Sequence, residues 1–398
     1  MNSELLNLAY DLKDQLIQFR RDFHQYPEIG FKEFRTSKKV LAELIRLGIS
    51  ATAGIGGTGV VGLIQGGKNG KTIALRADMD ALPIHEENQV AYCSKTPGIM
   101  HACGHDGHIA MLLGAAAILC RQKKSLPGNV KLIFQPAEEI PVGGASTLIR
   151  QGVLKNPAVH AIVGLHLAPH IPAGKVALKN GKLFAATDEL NLCITGKSGH
   201  ASKPFEAVDS IIISAQIINA LQAVITRETD AMDPKIISIG LINGGEAHNV
   251  IAKEVTMRGT IRTLTQETRH NLHQLIKKRC KAIAQNMGAK AEVKIIKGNP
   301  PMVNHSGLFQ VLKPSLSACL GESNVMEIQT PFLGGEDFAF YAEKVPGFYF
   351  LLGCRDEKKK SNYPLHSSCF DLDEASLPVG AAALASCAMT LLESEIDY

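Results

Sequence analysis

The sequence predicts an α/β protein: a mostly parallel sheet with helices on both faces, and a smaller α+β domain inserted into it. Helical patterns separate four continuous apolar runs, and apolar strands that alternate with helices are typical of a parallel sheet buried on both faces. Those runs are TIALRADMD, VKLIFQPAEE, AIVGLHLAP and FYFLLG. A strand-helix-strand-strand-helix-strand pattern between about Phe184 and Lys297 predicts that the insertion is ferredoxin-like.

The insertion divides the main domain, so we predict 1–184 and 297–398 for the main domain and 185–296 for the inserted one. A chain of 398 residues exceeds what one ordinary hydrophobic core holds, which agrees with two domains. The predicted elements of the insertion are the strand ELNLCITG, a helix from about Ala207 to Arg227, the strands KIISIGLI and EVTMRGTIRTL, the helix QETRHNLHQLIKKRCKAIAQNMG and the strand AEVKIIKG.

The main domain begins with two helical patterns that end at Gly48. Pro27 in HQYPE separates them, because proline cannot continue a helix. The pattern then changes from a helical to a strand-like period. GVVGLIQ and KTIALRA have the composition of strands, and GGKNG between them has the residues of a tight turn. We therefore expect a β-hairpin at this point.

Composition excludes several classes of function. The 42 basic and 38 acidic residues are interleaved and leave a net charge of only +4, so a small, anionic substrate fits better than nucleic acid. The apolar run IAMLLGAAAILC is far shorter than the ~20 residues of a membrane span, and acids interrupt the leucines of the N-terminus. We predict neither membrane attachment nor a signal peptide. Nine scattered cysteines do not form a disulfide framework, which favours the reducing cytoplasm.

The segment MHACGHDGHIA is a candidate metal-binding loop. Cys103 and His105 lie in a glycine-containing loop before a helix, where a thiolate and an imidazole can converge on one ion. The alternative is a buried thiol beside a surface histidine, because free cysteines usually belong to the core. We predict that His101, Asp106 and His108 support the ligands, since histidines that bind metal commonly need such partners.

Polar residues after other predicted strands supply further donors. Glu138 and Glu139 follow one strand, where neighbouring side chains point in opposite directions, so one can bind an ion while the other faces the cleft. The alternative is a solvated acidic pair. His166 ends another run and His366 lies near the C-terminus, and either alone would fit a structural histidine. With the thiol and imidazole of the loop, Glu139 and these histidines complete five N, S and O donors, which suit a divalent transition metal or a two-metal site.

The run TIALRADMD ends in charged residues that we do not predict to bind a metal directly. The guanidinium of Arg76 is always protonated and cannot bind a metal. We predict that Asp78 and Asp80 support the residues that bind the metal.

Eight motifs occur in order along nearly the whole chain: LRADMDALP, MHACGHDGH, FQPAEE, GLHLAP, GHASKP, RGTIRT, LGGEDFAFY and LHSSCFDLDE. Together they resemble the metal-dependent aminoacylase and amidohydrolase family, which includes hippurate hydrolases, N-acetyldiaminopimelate deacetylases and hydrolases of indoleacetyl-amino acid conjugates. The resemblance implies that the inserted domain serves as a lid and dimerisation domain. It also implies hydrolysis of the amide bond of an N-acyl or N-aroyl amino acid, of the hippurate or N-acetyl-amino acid type. A dipeptidase or carboxypeptidase of the same family is the alternative.

The resemblance also implies site residues, position by position. Two divalent ions per subunit, Zn, Mn or Co, would share the Cys103 sulfur as a bridge. Glu138 matches the general base, which takes a proton from a metal-activated water and passes it to the leaving amine. The matched metal ligands are Cys103, His105, Glu139, His166 and His366.

Three residues of the insertion match the family's substrate cleft. His200 in GHASKP matches a histidine that, in dimeric relatives, stabilises the oxyanion in the other subunit's site; the alternative is a solvent-facing loop histidine. Asn249 in AHNVIAKE and Arg262 in RGTIRT match positions on the lid side. Arg262 suits the free carboxylate of a substrate, or a surface salt bridge. With the apolar stripe DSIIISAQIINALQAVI, His200 predicts a homodimer, or a tetramer.

Two other hypotheses compete with a metal-dependent hydrolase. A nucleophilic Cys103 with a histidine base is disfavoured, because the thiol lies among many other donors and no separate oxyanion loop is evident. A non-catalytic metal-binding protein is disfavoured because a closed structural site needs no spare carboxylate such as Glu138.

Overall fold

The computed structural model describes residues 2–141, 143–356 and 362–395, and these form two compact units. The described residues of the first unit are those that fall in 1–181, 303–330 and 337–398. The second falls in 182–302 and 331–336, and the predicted insertion of 185–296 lies within it.

Strands and helices are numbered in chain order. The strands are β1 (Ser50–Ile55), β2 (Gly59–Gln65), β3 (Lys68–Asp78), β4 (Pro127–Gln135), β5 (Ala161–Pro172), β6 (Val176–Leu178), β7 (Gly181–Phe184), β8 (Ala186–Thr195), β9 (Gly199–His200), β10 (Lys235–Gly244), β11 (Val250–Ile251), β12 (Glu254–Thr263), β13 (Lys290–Lys297), β14 (Met302–Asn304), β15 (Val325–Glu327) and β16 (Gly347–Arg355). The helices are α1 (Asn2–Asp11), α2 (Lys13–Gln25), α3 (Phe34–Arg46), α4 (His105–Arg121), α5 (Gly144–Arg150), α6 (Ser210–Arg227), α7 (Gln266–Asn286), α8 (Ser306–Leu320), α9 (Ala339–Ala342) and α10 (Ser376–Glu393).

The first unit is built around an eight-stranded sheet with the order β1-β2-β4-β3-β5-β16-β6-β15. Its four central strands, β4, β3, β5 and β16, run parallel to one another. The apolar runs of the sequence form these strands, and the first eight of the nine residues of β16 are buried. The predicted class of fold is therefore confirmed. The carboxyl ends of the central strands meet at one edge, where ligands gather in open parallel sheets.

The predicted hairpin between β2 and β3 is wrong. β4 lies between them, pairing with β2 in the antiparallel sense and with β3 in the parallel sense. The glycines of GGKNG allow a close approach of two chain segments instead of a tight turn, since a Cβ added at Gly67 would lie 2.1 Å from the carbonyl oxygen of Lys124. The chain passes over the segment that precedes β4 and only then enters β3.

The second unit has the predicted ferredoxin-like topology. Its elements follow the order β8-α6-β10-β12-α7-β13, and its four-stranded sheet has the order β10-β12-β8-β13 with every pair antiparallel. Apolar side chains of α6 and α7 pack with those of the sheet in one core, for example Ile217, Ile276 and Leu192.

Two helices, α6 and α10, are long and apolar enough to cross a membrane by length and composition alone. α10 is 89% buried inside its unit, as expected of a core helix, whereas α6 is 33% buried. The N-terminal helical pattern forms α1 and α2, with Leu12 between them.

Candidate metal centre

A glycine places Cys103 and His105 on either side of the start of α4. Gly104 has a φ of +82°, in the left-handed region that favours glycine. A side chain there would also collide with Leu167, because an added Cβ would lie 2.9 Å from its Cδ1. The loop brings the Cys103 sulfur to 3.4 Å from Nε2 of His166 in β5. A position that requires glycine thus sets the direction of the thiol.

The structure brings all five predicted metal-binding side chains together. Donor atoms of Cys103, His105 and His166 lie within 4.8 Å of one another. The same holds for Cys103, Glu139 and His366, and His366 Nε2 is 3.2 Å from Glu139 Oε1. The cluster therefore contains two sets of three donors that share one sulfur.

The hydrogen bonds of His105 and His166 use Nδ1 of each ring and leave Nε2 available for an ion. His105 Nδ1 is 2.9 Å from the carbonyl oxygen of Asp80, and His166 Nδ1 is 2.8 Å from that of Leu167. A carbonyl oxygen only accepts, so each Nδ1 donates, and in a neutral ring Nε2 then carries the free lone pair. His105 Nε2 is buried and makes no hydrogen bond to a described residue. Thiol, imidazole and carboxylate donors are those that divalent transition metals prefer, so the residues fit such an ion.

Carboxylates hold the loop that carries the two glutamates. The Asp80 carboxylate accepts the backbone N–H groups of Glu138 and Glu139, at 3.0 Å each. Glu33 accepts the N–H of Ala137 at 2.8 Å, and Ala137 has a φ of +52°, a strained value for a residue with a side chain. Three successive N–H groups therefore point at two carboxylates, which fixes the direction of both glutamates. Asp80 thus lies behind the loop that carries Glu138 and Glu139, and its supporting role stays a prediction.

Glu33 also lies at the site, and it is not among the residues predicted from the sequence. Its side chain is fully buried and also accepts a hydrogen bond from the Thr58 hydroxyl. Burial, with a smaller contribution from Asp80, raises the pKa of Glu33 to about 7. No pattern in the surrounding sequence distinguishes Glu33 from an exposed acid at the start of a helix.

His108 supports the cluster through Asp78. Its Nδ1 lies 2.6 Å from Asp78 Oδ1, and its Nε2 accepts the N–H of Leu167 at 3.0 Å. Both ring nitrogens are occupied, and burial lowers the pKa of His108 to about 4, so the ring is neutral. Burial disfavours the charge of Asp78, but His105, His108 and Arg76 outweigh it and hold the pKa of that carboxyl well below its usual range. His108 and Asp78 thus contact each other and the backbone beside His166, and their supporting roles stay predictions.

Asp106 anchors the start of α4 to α2. Its Oδ2 lies 2.8 Å from both Arg20 Nε and His24 Nδ1. Burial opposes its ionisation, but Arg20 and His24 hold the pKa of Asp106 far below its usual range. His101 is also buried, and neither ring nitrogen hydrogen-bonds to a described residue. Asp106 therefore hydrogen-bonds to side chains of α2, and the supporting roles of Asp106 and His101 stay predictions.

In the second unit, a short strand pair places His200 beside Asn249. β9 and β11 pair through His200 and Val250, and the N–H of Ala201 donates to the carbonyl of Asn249 at 3.1 Å. His200 is exposed, and its Nδ1 accepts the backbone N–H of Ser202 at 3.1 Å. With Nδ1 as the acceptor, Nε2 of a neutral ring carries the proton and can donate it to a ligand.

Arg262 lies on β12 opposite Thr187 of β8 and is partly buried. Burial lowers the pKa of its guanidinium, and the nearby Asp188 acts in the opposite direction. Asp188 itself is bonded to Arg269, with 2.9 Å between Arg269 Nε and Asp188 Oδ2.

An α/β unit whose parallel strands lead to clustered thiol, imidazole and carboxylate donors is typical of hydrolases that use divalent metals. Comparison with known proteins assigns the family. Residues 74–390 match the model of peptidase family M20/M25/M40. The chain belongs to peptidase family M20, and it is a hydrolase of the amidohydrolase and peptidase type that binds divalent metal.

Two curated relatives and one solved structure illustrate the family. Thermostable carboxypeptidase 1 of Saccharolobus solfataricus is 42% identical over 383 residues, which cover 96% of each chain. An IAA-amino acid hydrolase of Arabidopsis thaliana is 40% identical over 401 residues, 99% of this chain and 90% of the relative. A dinuclear metal-binding peptidase of the M20 family from Bacillus subtilis superimposes with a TM-score of 0.85 at 34% identity, covering 97% of this chain and 99% of the other.

Proposed function

We propose that the protein hydrolyses the amide bond of N-acyl or N-aroyl amino acids at a site that holds two divalent ions. The observation that carries the proposal is the cluster of five donors in two sets that share Cys103, with the Glu138 carboxylate beside it. The proposed ligands are Cys103, His105, Glu139, His166 and His366.

Zn, Mn or Co bound there would act as a Lewis acid, activating a water molecule and polarising the scissile carbonyl. Glu138 takes one proton from the attacking water and delivers it to the nitrogen of the leaving amine, whose bond to the carbonyl carbon then breaks. The Asp80 carboxylate keeps Glu138 in place through its backbone N–H. His200, from the other copy of a dimer, donates from Nε2 to the oxyanion of the tetrahedral intermediate.

Substrate choice follows from charge. Arg262 can bind the free carboxylate of the amino-acid part with two parallel hydrogen bonds, and Asn249 adds polar contacts to the substrate. The Arabidopsis relative, an IAA-amino acid hydrolase, supports an N-acyl amino acid as the substrate class. The alternative is a dipeptidase or carboxypeptidase, which the Saccharolobus relative favours.

We include residues 185–296 as a lid and dimerisation domain in the proposal, and a homodimer as the assembly. Ile211 and Ile212 of α6 are 48% and 53% exposed, and a dimer would bury such apolar surface. All nine cysteines, each within the described ranges, carry free thiols, which supports a reducing cytoplasm.

The test is a hydrolysis panel on protein whose bound metal has been quantified. The panel compares hippurate, N-acetyl amino acids, indoleacetyl amino acids and dipeptides, before and after chelation and after return of Zn, Mn or Co. We expect cleavage of the N-acyl amino acids, its loss on chelation, and its recovery with metal. Glu138→Gln, with one atom exchanged, is expected to keep the metal and lose turnover. Full activity in metal-free protein would contradict the proposal, and cleavage of dipeptides alone would favour the alternative.

A further inference from the structure

Arg76 is a buried cation at the centre of the main sheet. It lies on β3 between β4 and β5, and its side chain is 0% exposed. All three guanidinium nitrogens donate: Nε to Gln135 Oε1 at 2.9 Å, Nη1 to Asp78 Oδ2 at 2.6 Å, and Nη2 to Asp337 Oδ1 at 2.7 Å. Gln135 Nε2 in turn donates to both oxygens of Asp337, at 2.9 and 2.7 Å. One guanidinium thus hydrogen-bonds to two carboxylates, and each carboxylate connects it to a different part of the site.

The first connection leads to the metal donors. Asp78 uses Oδ2 for Arg76 and Oδ1 for His108 Nδ1, at 2.6 Å each. His108 then accepts the N–H of Leu167 at 3.0 Å, and Leu167 directly follows His166 in β5. His105 Nδ1 also lies 3.8 Å from Asp78 Oδ1. A shift of Asp78 would therefore move the surroundings of two donor histidines.

The second connection leads to the proposed general base. The N–H of Asp337 lies 3.4 Å from Glu138 Oε1, so the backbone of this residue faces the base while its side chain faces Arg76. Asp337 Oδ2 also accepts the N–H of Ala145 at 3.0 Å, in the first turn of α5. Asp337 therefore contacts both Glu138 and the first turn of α5.

We infer that Arg76 is a positioning residue that holds the metal donors and the general base in register with each other. The inference rests on the proposed function. Its physical basis is the planar fork of the guanidinium, which presents fixed donors in the directions of Asp78, Gln135 and Asp337. A lysine would keep the charge but has one nitrogen on a flexible stem, so it cannot satisfy all three at the same geometry.

The experiment substitutes Co²⁺ for the native metal and compares Arg76→Lys with two variants that each affect one connection. Arg76→Lys is expected to stay folded, to change the visible spectrum of bound Co²⁺, and to lower kcat by about 10- to 100-fold, as substitutions behind metal ligands commonly do. We expect a smaller change in KM. Asp78→Asn should change the cobalt spectrum, whereas Asp337→Asn should lower kcat with the spectrum nearly unchanged.

Arg269→Lys is the matched control for the spectrum. Arg269 is also buried and is bonded to a carboxylate, Asp188, but it belongs to the second unit. It should lose stability without changing the cobalt spectrum. A folded Arg76→Lys protein with the wild-type spectrum and kcat would overturn the inference, and so would an equal spectral change in Arg269→Lys. If Arg76→Lys does not fold, an unchanged kcat in Asp337→Asn overturns the connection to the base.

The two proposals fail in different ways. If wild-type protein with bound metal cleaves nothing in the hydrolysis panel, the proposed function fails, while the cobalt spectra still decide whether Arg76 positions the donors. If wild-type protein is active and Arg76→Lys matches it in both measurements, the inference about Arg76 fails alone.

Discussion

Replacing Glu33 with Gln should remove a pH dependence from the stability of the first unit. Glu33 is fully buried, and its pKa is raised from the usual 4.5 to about 7. The folded protein therefore binds this proton more tightly than the unfolded chain. The stability due to that proton is fully present below pH 4.5 and is lost as the pH rises through about 7. At about 1.4 kcal/mol for each tenfold change in proton affinity, the loss is about 3 kcal/mol.

Glutamine suits the same position without a charge. Its carbonyl can accept the Ala137 N–H, and its amide can donate to the Thr58 hydroxyl, which accepts as readily as it donates. The free energy of unfolding of Glu33→Gln minus that of the wild type should therefore increase by about 3 kcal/mol between pH 4.5 and pH 8. Urea denaturation of the metal-free protein, followed by circular dichroism across this range, measures the difference without the added stabilisation of a bound ion.

Asp22→Asn is the matched control. Burial works against ionisation at this site too, but hydrogen bonds from Arg35 and Lys39 hold the pKa of Asp22 below its usual 3.8. The stability that the ionised Asp22 contributes is present above that value and constant from pH 5 to pH 8. The free energy of unfolding of Asp22→Asn minus that of the wild type should therefore not change over this range. If the free energy of unfolding of Glu33→Gln minus that of the wild type also stays constant with pH, the reasoning about the buried Glu33 carboxyl is refuted.

Three further variants test single contacts of the site. Asp80→Asn keeps one oxygen acceptor but turns an amide N–H₂ towards the second backbone N–H, so we expect the affinity for metal to fall by about 10- to 100-fold. Competition with a chelator measures this affinity, and an unchanged affinity would contradict the prediction. Arg262→Ala should raise KM for an N-acyl amino acid by about 10- to 100-fold with little change in kcat, and equal KM values would remove Arg262 from the carboxylate site. His200→Ala should lower kcat by about 10²- to 10³-fold at unchanged metal content, and wild-type turnover would exclude it as the oxyanion donor.

Residues at the ends of buried strands were the most predictable part of the site. Glu139 and His166 follow apolar runs, and parallel strands place their carboxyl ends at one edge, so polar residues there are expected to converge. The same pattern predicted the main sheet and, by its change of period, the ferredoxin-like unit. Cys103 needed the additional information that a glycine precedes the helix.

Strand order and the residues behind the site were less predictable. GGKNG predicted a hairpin because glycine serves tight turns and close chain crossings equally well, and local sequence does not distinguish them. His101 lies in the same histidine-rich segment as His108, but only the fold decides which of the two reaches Asp78. Arg76 did carry a signal, since a charged residue inside an apolar strand requires buried partners. Its partner Asp337 is far away in the sequence, and one chain gives no means of pairing them.

Buried charges behind the site are better explained by positioning than by stability. Arg76 and its carboxylates lose hydration on burial, and well-packed apolar residues of similar volume are often as stabilising as a buried ion pair. Yet these charges lie directly behind the donors, where Asp78 fixes the tautomer of His108 and Asp80 fixes two backbone N–H groups. In the second unit Asp188 bonds to Arg269 and lies near Arg262. Fixed directions are what such pairs provide and what apolar packing does not, so the carboxylates behind the site hold the loop of Glu138 and Glu139 and the ring of His108 in set directions.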